Sequence, residues 1–156
     1  MDNDLHALDK WAGGLLAHLA PAGRRAVTRD VARELRRSQQ ARIGAQRNAD
    51  ESPFAARKPR TGKGGKLREK KGRIKRAAMF AKLRTARYLK VESDAMGLTV
   101  GFAGRVSRVA RVHQFGLRDR VSPKGVEYQY PARSLLGFTA QDRDLIRDVL
   151  LKHICK

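Results

Sequence analysis

Residues 88–116 read YLKVESDAMGLTVGFAGRVSRVARVHQFG, and this stretch decides the fold class. Apolar and polar residues alternate on both sides of a turn at 93–97, which predicts two antiparallel strands with one apolar face. The spacing then changes to that of a short helix, whose shared face carries Val106, Val109, Ala110 and His113. Gly116 stands where a C-cap glycine ends a helix. A hairpin followed directly by a helix indicates an α+β fold.

Helical patterns lie at both ends of the chain. Residues 4–19 and the series from Val27 to Leu35 carry apolar side chains three or four apart, and Pro21 separates them, which predicts an N-terminal helical hairpin. Thr139–Asp142 resembles a capping box that opens a last helix. A short helix is predicted over 74–87 and a strand over 126–130. The predicted fold is α+β, with a small, mainly antiparallel sheet packed by helices.

Positive charge is concentrated in the middle of the chain. The net charge is +20 over 156 residues, and residues 42–90 hold 17 Lys or Arg against three acids. Between 46 and 75 the apolar pattern disappears, and about thirty structureless residues are unusual as a plain connection. We therefore predict one domain over 1–156, in which 46–75 form a flexible basic arm or loop. Such a field attracts polyanions.

The arm supplies candidate contacts with DNA or with an acidic partner protein. The basic residues predicted to make these contacts are Arg57, Lys58, Arg60, Lys63 and Lys66. No aromatic residue lies between Arg57 and Arg76, which argues against sequence-specific or single-strand recognition, because both use stacking platforms. Non-specific contact with phosphates remains open, and so does the plainer interpretation of a solvated loop.

No catalytic or metal-binding pattern is present in the sequence. The chain has one cysteine, Cys155, and its four histidines form no zinc spacing. Asp144 and Asp148 alternate with arginines, which favours surface salt bridges over a metal site. The acidic N-terminus resembles neither a secretory signal nor a membrane helix. We predict a non-enzymatic protein that has no cofactor and no membrane contact.

Two residues in the second half of the chain, His113 and Arg133, have alternative interpretations. His113 shares the apolar face of its helix, which is more typical of a histidine at the edge of a core than of a ligand. Arg133 follows Pro131 and Ala132 just before an apolar patch. It is either a solvated arginine or a buried one that bridges subunits or binds a carboxylate.

Four segments together are more specific than these patterns. They are RVSRVARVHQFGLRD at 105–119, YQYPARSLLGFT at 128–139, KGRIK at 71–75 and MFAKLR at 79–84. With the helical start and the basic middle, they closely resemble the phage virion morphogenesis family. That family comprises tail completion proteins of contractile-tailed phages and prophages, and the resemblance covers essentially the whole chain.

The resemblance implies a structural protein at the head-proximal end of the tail, where it enables head–tail joining. It implies an α+β fold and a homo-oligomeric ring, expected to be a hexamer. The implied partners are the tail tube or terminator and the head connector proteins, with non-specific contact to packaged DNA. The protein would be assembled in the bacterial host cytoplasm and reside in the virion tail or neck.

The family motifs also suggest positions for subunit or partner contacts. The residues expected at such an interface are His113, Gly116, Arg133, Leu135, Leu136 and Phe138. Two rival functions remain at this point. One is a non-specific nucleic-acid-binding protein. The other is an enzyme, such as a nuclease, for which the sequence shows no set of catalytic residues.

Overall fold

A computed structural model describes residues 2–17, 20–57, 78–120 and 125–154 of the chain. In these ranges the α+β class is as predicted. The helices are α1 (Asp2–Ala17), α2 (Pro21–Gly44), α3 (Val106–Phe115) and α4 (Ala140–Ile154). The strands are β1 (Leu89–Ser93), β2 (Leu98–Phe102), β3 (Arg118–Arg120) and β4 (Glu127–Gln129).

The first core forms where α2 meets α4 and the β1–β2 hairpin. Its buried side chains come from the predicted four-residue steps of α2 and from the last helix: Val27, Val31, Leu35 and Leu150. Leu98 and Val100 of β2 pack against this cluster, and so does Ala12 of α1. The two N-terminal helices follow one another as predicted, and α1 packs against α4.

The strands form two separate antiparallel pairs within the described residues. β1 pairs with β2 from Leu89↔Phe102 to Ser93↔Leu98, as the alternation predicted. The hydroxyl of Thr28 donates a 2.6 Å hydrogen bond to the Asp94 carbonyl, which fixes the hairpin turn on α2. β4 lies within the predicted strand, and its partner β3 was not predicted. Residues 121–124, between these two strands, lie outside the described residues.

The capping residues in the sequence correctly predicted the C-terminal end of α3 and the N-terminal end of α4. Gly116 adopts the left-handed conformation, at φ 62° and ψ 43°, and its N–H donates to the Val112 carbonyl. Thr139 and Asp142 form a reciprocal box, because each backbone N–H donates to the other's side-chain oxygen, at 2.9 and 3.1 Å. Asp142 is buried by this arrangement.

The helix predicted over 74–87 is absent from its described part. Residues 78–88 form successive turns, and Phe80 has a left-handed φ of 61°. A tertiary contact explains the absence of the helix, because the Gln46 side-chain amide forms hydrogen bonds with both backbone groups of Met79. The Met79 N–H donates to Gln46 Oε1 at 2.6 Å, and Gln46 Nε2 donates to the Met79 carbonyl at 3.0 Å. A continuous helix would require both backbone groups for its own bonds.

A second core includes residues that were assigned to the basic arm. Phe54 is buried with Met79, Ala110 and Leu135. Phe54 thus anchors this part of the chain on the body, and a bridge between Arg47 and Pro53 closes the turn before it. Residues 58–75 of the predicted arm lie outside the described residues.

Candidate functional site

Arg133 lies at the centre of the site and is 4% exposed. Its Nε donates to the Ala55 carbonyl at 2.8 Å, and its Nη2 donates to the Ala56 carbonyl at 3.0 Å. Its Nη1 lies 3.0 Å from Nδ1 of His113. Burial lowers the pKa of Arg133 from its ordinary value. The guanidinium therefore ties the chain just before residue 57 to α3.

His113 is held in a definite tautomer by this contact. An arginine can only donate, so Nδ1 must accept and Nε2 carries the proton of the neutral ring. The ring packs edge-on between Phe80 and Tyr130, with centroid distances of 4.8 and 5.0 Å. Burial, together with the charges of Arg133 and Arg57, lowers the pKa of His113 to about 4. The histidine is thus an uncharged packing residue at neutral pH.

The two ends of the basic segment meet beside this pair. Arg57 Nη2 donates to the Ala78 carbonyl at 3.4 Å. Residues 55–57 are held by Arg133, and Met79 is held by Gln46. We call residues 55–57 and 78–79 the arm root. The chain between Arg57 and Ala78 therefore leaves and rejoins the body at one place.

A second buried arginine, Arg42 of α2, supports the other side of the site. It donates to the carbonyls of Ser134 (2.6 Å) and Leu135 (2.9 Å), and to Gln39 Oε1 at 2.5 Å. The Ser134 N–H donates to Asn48 Oδ1 at 2.8 Å. These contacts were missed in the sequence. The available signal was Gln39, a polar residue at the next step of the Val27, Val31, Leu35 series.

The structure places the predicted interface residues in different environments. Leu135 is fully buried in the second core and Arg133 is buried beside it. The segment that follows Pro131 folds inward onto α2 and α3, and the interface role of these two residues stays a prediction. Phe138 is 43% exposed, and Leu136 is half-buried.

Gly116 has a structural role at this site. A Cβ built on it would lie 3.0 Å from the Ala132 nitrogen and 3.2 Å from the Ala132 Cβ. The Arg133 N–H donates to the His113 carbonyl at 2.6 Å. The end of α3 and residues 132–133 are therefore in direct backbone contact, which sets the position of the Arg133 guanidinium.

Of the basic residues predicted to contact DNA or an acidic partner, the structure describes Arg57 alone, at the arm root and exposed. Lys58, Arg60, Lys63 and Lys66 lie outside the described residues. The structure thus connects two groups that the sequence treated separately, since Arg133 and His113 fix the chain from which the basic segment departs.

The described part of the chain offers little catalytic chemistry. Within it, no three His, Cys, Asp or Glu side chains are grouped as metal ligands. Asp144 is paired with Arg147 at 3.2 Å, as expected for a surface salt bridge. None of the described helices combines the length and hydrophobicity needed to span a bilayer. The contacts of Arg133 and His113 instead hold in place the arm root, from which the basic segment departs.

Comparisons with known proteins give a consistent family. A model of the phage virion morphogenesis family matches residues 3–155. The chain is 38% identical over 153 residues to Tail completion protein S of Escherichia phage P2, which covers 97% of this chain and 98% of that protein. No solved structure matches.

Proposed function

Because the chain belongs to the phage virion morphogenesis family, we propose that it is a structural tail completion protein. In this proposal it forms a ring at the head-proximal end of the tail and enables head–tail joining. The observation that carries the proposal is the similarity to a tail completion protein over nearly the full length of both chains.

The arm root supports an assembly role. A buried guanidinium and a neutral imidazole hold the departure point of a segment that carries much of the positive charge. Fixing both ends of a cationic segment lowers the entropy that a partner must offset when the segment orders on docking. We propose that this segment contacts packaged DNA or an acidic neighbouring ring in the neck.

We propose that the protein is not an enzyme. His113 is the histidine of this site and would be its candidate general base. Its Nδ1, however, accepts a hydrogen bond from Arg133, and its pKa is lowered to about 4. A general base works best when its pKa lies near the working pH. The site thus favours positioning over proton transfer.

The proposed partners follow from this role. They are further copies of the chain in a ring, for which the family suggests a hexamer, the tail tube or terminator, and the head connector. The protein would then reside in the tail or neck of the virion, assembled in the host cytoplasm. Phe138 and Leu136 remain proposed positions for contact with a partner.

The test is genetic and structural. The gene is deleted from the phage or prophage that encodes the chain, and lysates are inspected by electron microscopy. The proposal expects filled heads and separate tails, with joining restored by the wild-type gene. Joined, infectious particles without the gene would refute it.

A sizing column in high salt adds a second measurement of the purified protein. A ring that persists in high salt supports self-assembly. A monomer whose tight ligand is DNA would favour the nucleic-acid-binding alternative, because that binding depends on counterion release and falls steeply with salt.

A further inference from the structure

The end of α3 exposes an aromatic side chain to solvent. Phe115 is 67% exposed, and nearby Val109 and Leu117 are 44% and 36% exposed. A single exposed apolar residue requires no explanation. Here, however, Phe115 lines a groove together with other apolar side chains, so its exposed ring is part of a larger apolar surface.

The groove has a volume of about 300 Å³ and an apolar lining formed by Phe102, Ala110, Phe115 and Leu136. One wall is fixed by Gln114 through two hydrogen bonds. Gln114 Nε2 donates to the Leu136 carbonyl, and the Leu136 N–H donates to Gln114 Oε1, both at 2.9 Å. The groove is therefore shaped in the subunit before anything binds, and it is large enough to receive one apolar side chain.

The surroundings of the groove are strongly basic. Five arginines and one acid lie between 105 and 120: Arg105, Arg108, Arg111, Arg118, Arg120 and Asp119. At 100° per residue, Arg108 and Arg111 of α3 and the N-cap residue Arg105 span about 120° around the helix axis, and Phe115 falls inside that arc. All five arginines are exposed.

Few acids in the described structure neutralise this surface. Asp119 is engaged by Arg108 at 2.5 Å, and that hydrogen bond holds the pKa of Asp119 below its usual value. Glu127 lies 3.7 Å from Arg120 in an exposed pair. Arg111, which lines the groove itself, has no ion pair within the described residues.

The groove and the positive charge together distinguish between the partners that this surface could bind. A duplex backbone presents phosphates but no apolar group to fill the groove. A second copy of the chain brings a net charge of +20 toward an already positive face. A protein segment with acidic residues beside an apolar one satisfies both features, and aromatic residues and arginine are enriched at interface cores.

We propose that the groove beside α3 binds an acidic segment of another virion protein, which inserts an apolar side chain against Phe115. The inference rests on the proposed function, because it names the chemistry of one partner in the neck. It also assigns a contact surface on the body of the protein, separate from the basic segment at the arm root.

The test places a photo-crosslinker in the groove. The variant Phe115→p-benzoylphenylalanine complements the deletion phage, assembled particles are irradiated, and cross-linked peptides are identified by mass spectrometry. The expected product joins residue 115 to a segment of a different virion protein in which acids outnumber bases. A product with DNA, with a second copy of this chain or with a basic segment, or no product from particles that contain the variant, overturns the proposal.

A matched pair of variants supplies a functional readout. Phe115→Ser with Arg111→Gln should lower the yield of joined particles about tenfold or more, as expected for loss of an interface anchor. The control is Met96→Ser with Arg29→Gln, which changes an even more exposed apolar residue and an exposed arginine elsewhere. Equal yields from the two variants overturn the groove proposal. Absence of the wild-type protein from virions would instead refute the proposed function.

Discussion

Arg133 shows what a buried charge requires in a small domain. All three nitrogens of its guanidinium have partners, two of them backbone carbonyls in residues 55–56 and the third a neutral imidazole. A lysine offers a single nitrogen and cannot reproduce this planar arrangement. The residue therefore acts inside the subunit, and its effect on a neighbour passes through the arm root.

Replacing Arg133 should destabilise the fold. Arg133→Ala removes all three hydrogen bonds of a buried guanidinium and leaves a gap where that group packed, so we expect a loss of about 2–4 kcal/mol in the free energy of unfolding. Urea unfolding measures it. Exposed Arg29→Ala is the control and should change stability by less than about 0.5 kcal/mol. An Arg133→Ala protein as stable as wild type would contradict the bracing role.

His113 should make stability depend on pH in a defined window. Its pKa is about 4 in the folded protein and near 6.5 in the unfolded chain, so the unfolded chain takes up the proton first. The contribution is fully present above pH 6.5 and is lost as the pH falls toward 4. His113→Asn should show a shallower fall of the urea midpoint over this window, and exposed His6→Asn should follow wild type. Identical pH slopes for all three proteins would exclude the effect.

Gly116 should tolerate no side chain. Its φ of 62° costs an L-residue about 1–2 kcal/mol, and an added Cβ would also press on the Ala132 nitrogen at 3.0 Å. Gly116→Ala should thus lower stability by at least that amount, and Gly116→Val by more. Gly97→Ala is the matched control, because nothing lies within 4 Å of its Cβ position. Thermal melts followed by circular dichroism compare them, and equal melting temperatures would refute this account.

At the scale of elements, the sequence predicted those whose signals are local. The β1–β2 hairpin follows from strict alternation, α3 ends at a glycine, and α4 begins at a reciprocal cap. Each signal involves residues a few positions apart, so it survives in any tertiary context. The resemblance of the motifs to those of the family predicted a role in tail completion, but it did not reveal which motif side chains are buried.

The elements that were not predicted depend on distant contacts. Residues 78–88 have helix-forming composition, yet Gln46 binds the backbone of Met79 and prevents a helix. Phe54 lies in a stretch with little apolar pattern, and Leu135, eighty-one positions later, buries it. A single sequence carries no record of such pairs. For the same reason the burial of Arg133 could not be separated from an exposed interface role.

At the scale of the whole molecule, the described residues form two hydrophobic cores that hold different elements together. The first joins α2, α4 and the β1–β2 hairpin, and the second joins α3 to the arm root. Arg42 connects them, because it lies on α2 and bonds the carbonyls of residues 134–135. The ends of the basic segment are thus linked to α2 through Arg133 and the neighbouring carbonyls that Arg42 binds.

The last prediction concerns the position of the charge as distinct from its amount. Neutralising Lys58, Arg60, Lys63 and Lys66 to Gln should leave stability unchanged if they lie in a solvated segment, and should impair head–tail joining if that segment contacts DNA or an acidic ring. Arg57 is kept, because it bonds the Ala78 carbonyl at the arm root. The matched control neutralises four exposed arginines of α2: Arg25, Arg29, Arg33 and Arg37.

Complementation of the deletion phage, measured as the yield of joined particles, separates the outcomes. A defect confined to the first variant places the contact in the segment. Its DNA affinity should then also depend less steeply on salt, by up to about 0.9 in logarithmic slope for each phosphate that the variant no longer neutralises. Equal defects in both variants would mean that net charge alone matters. Wild-type joining by the first variant would show that the segment is only a solvated loop, since the root that holds it would then serve the fold and not assembly.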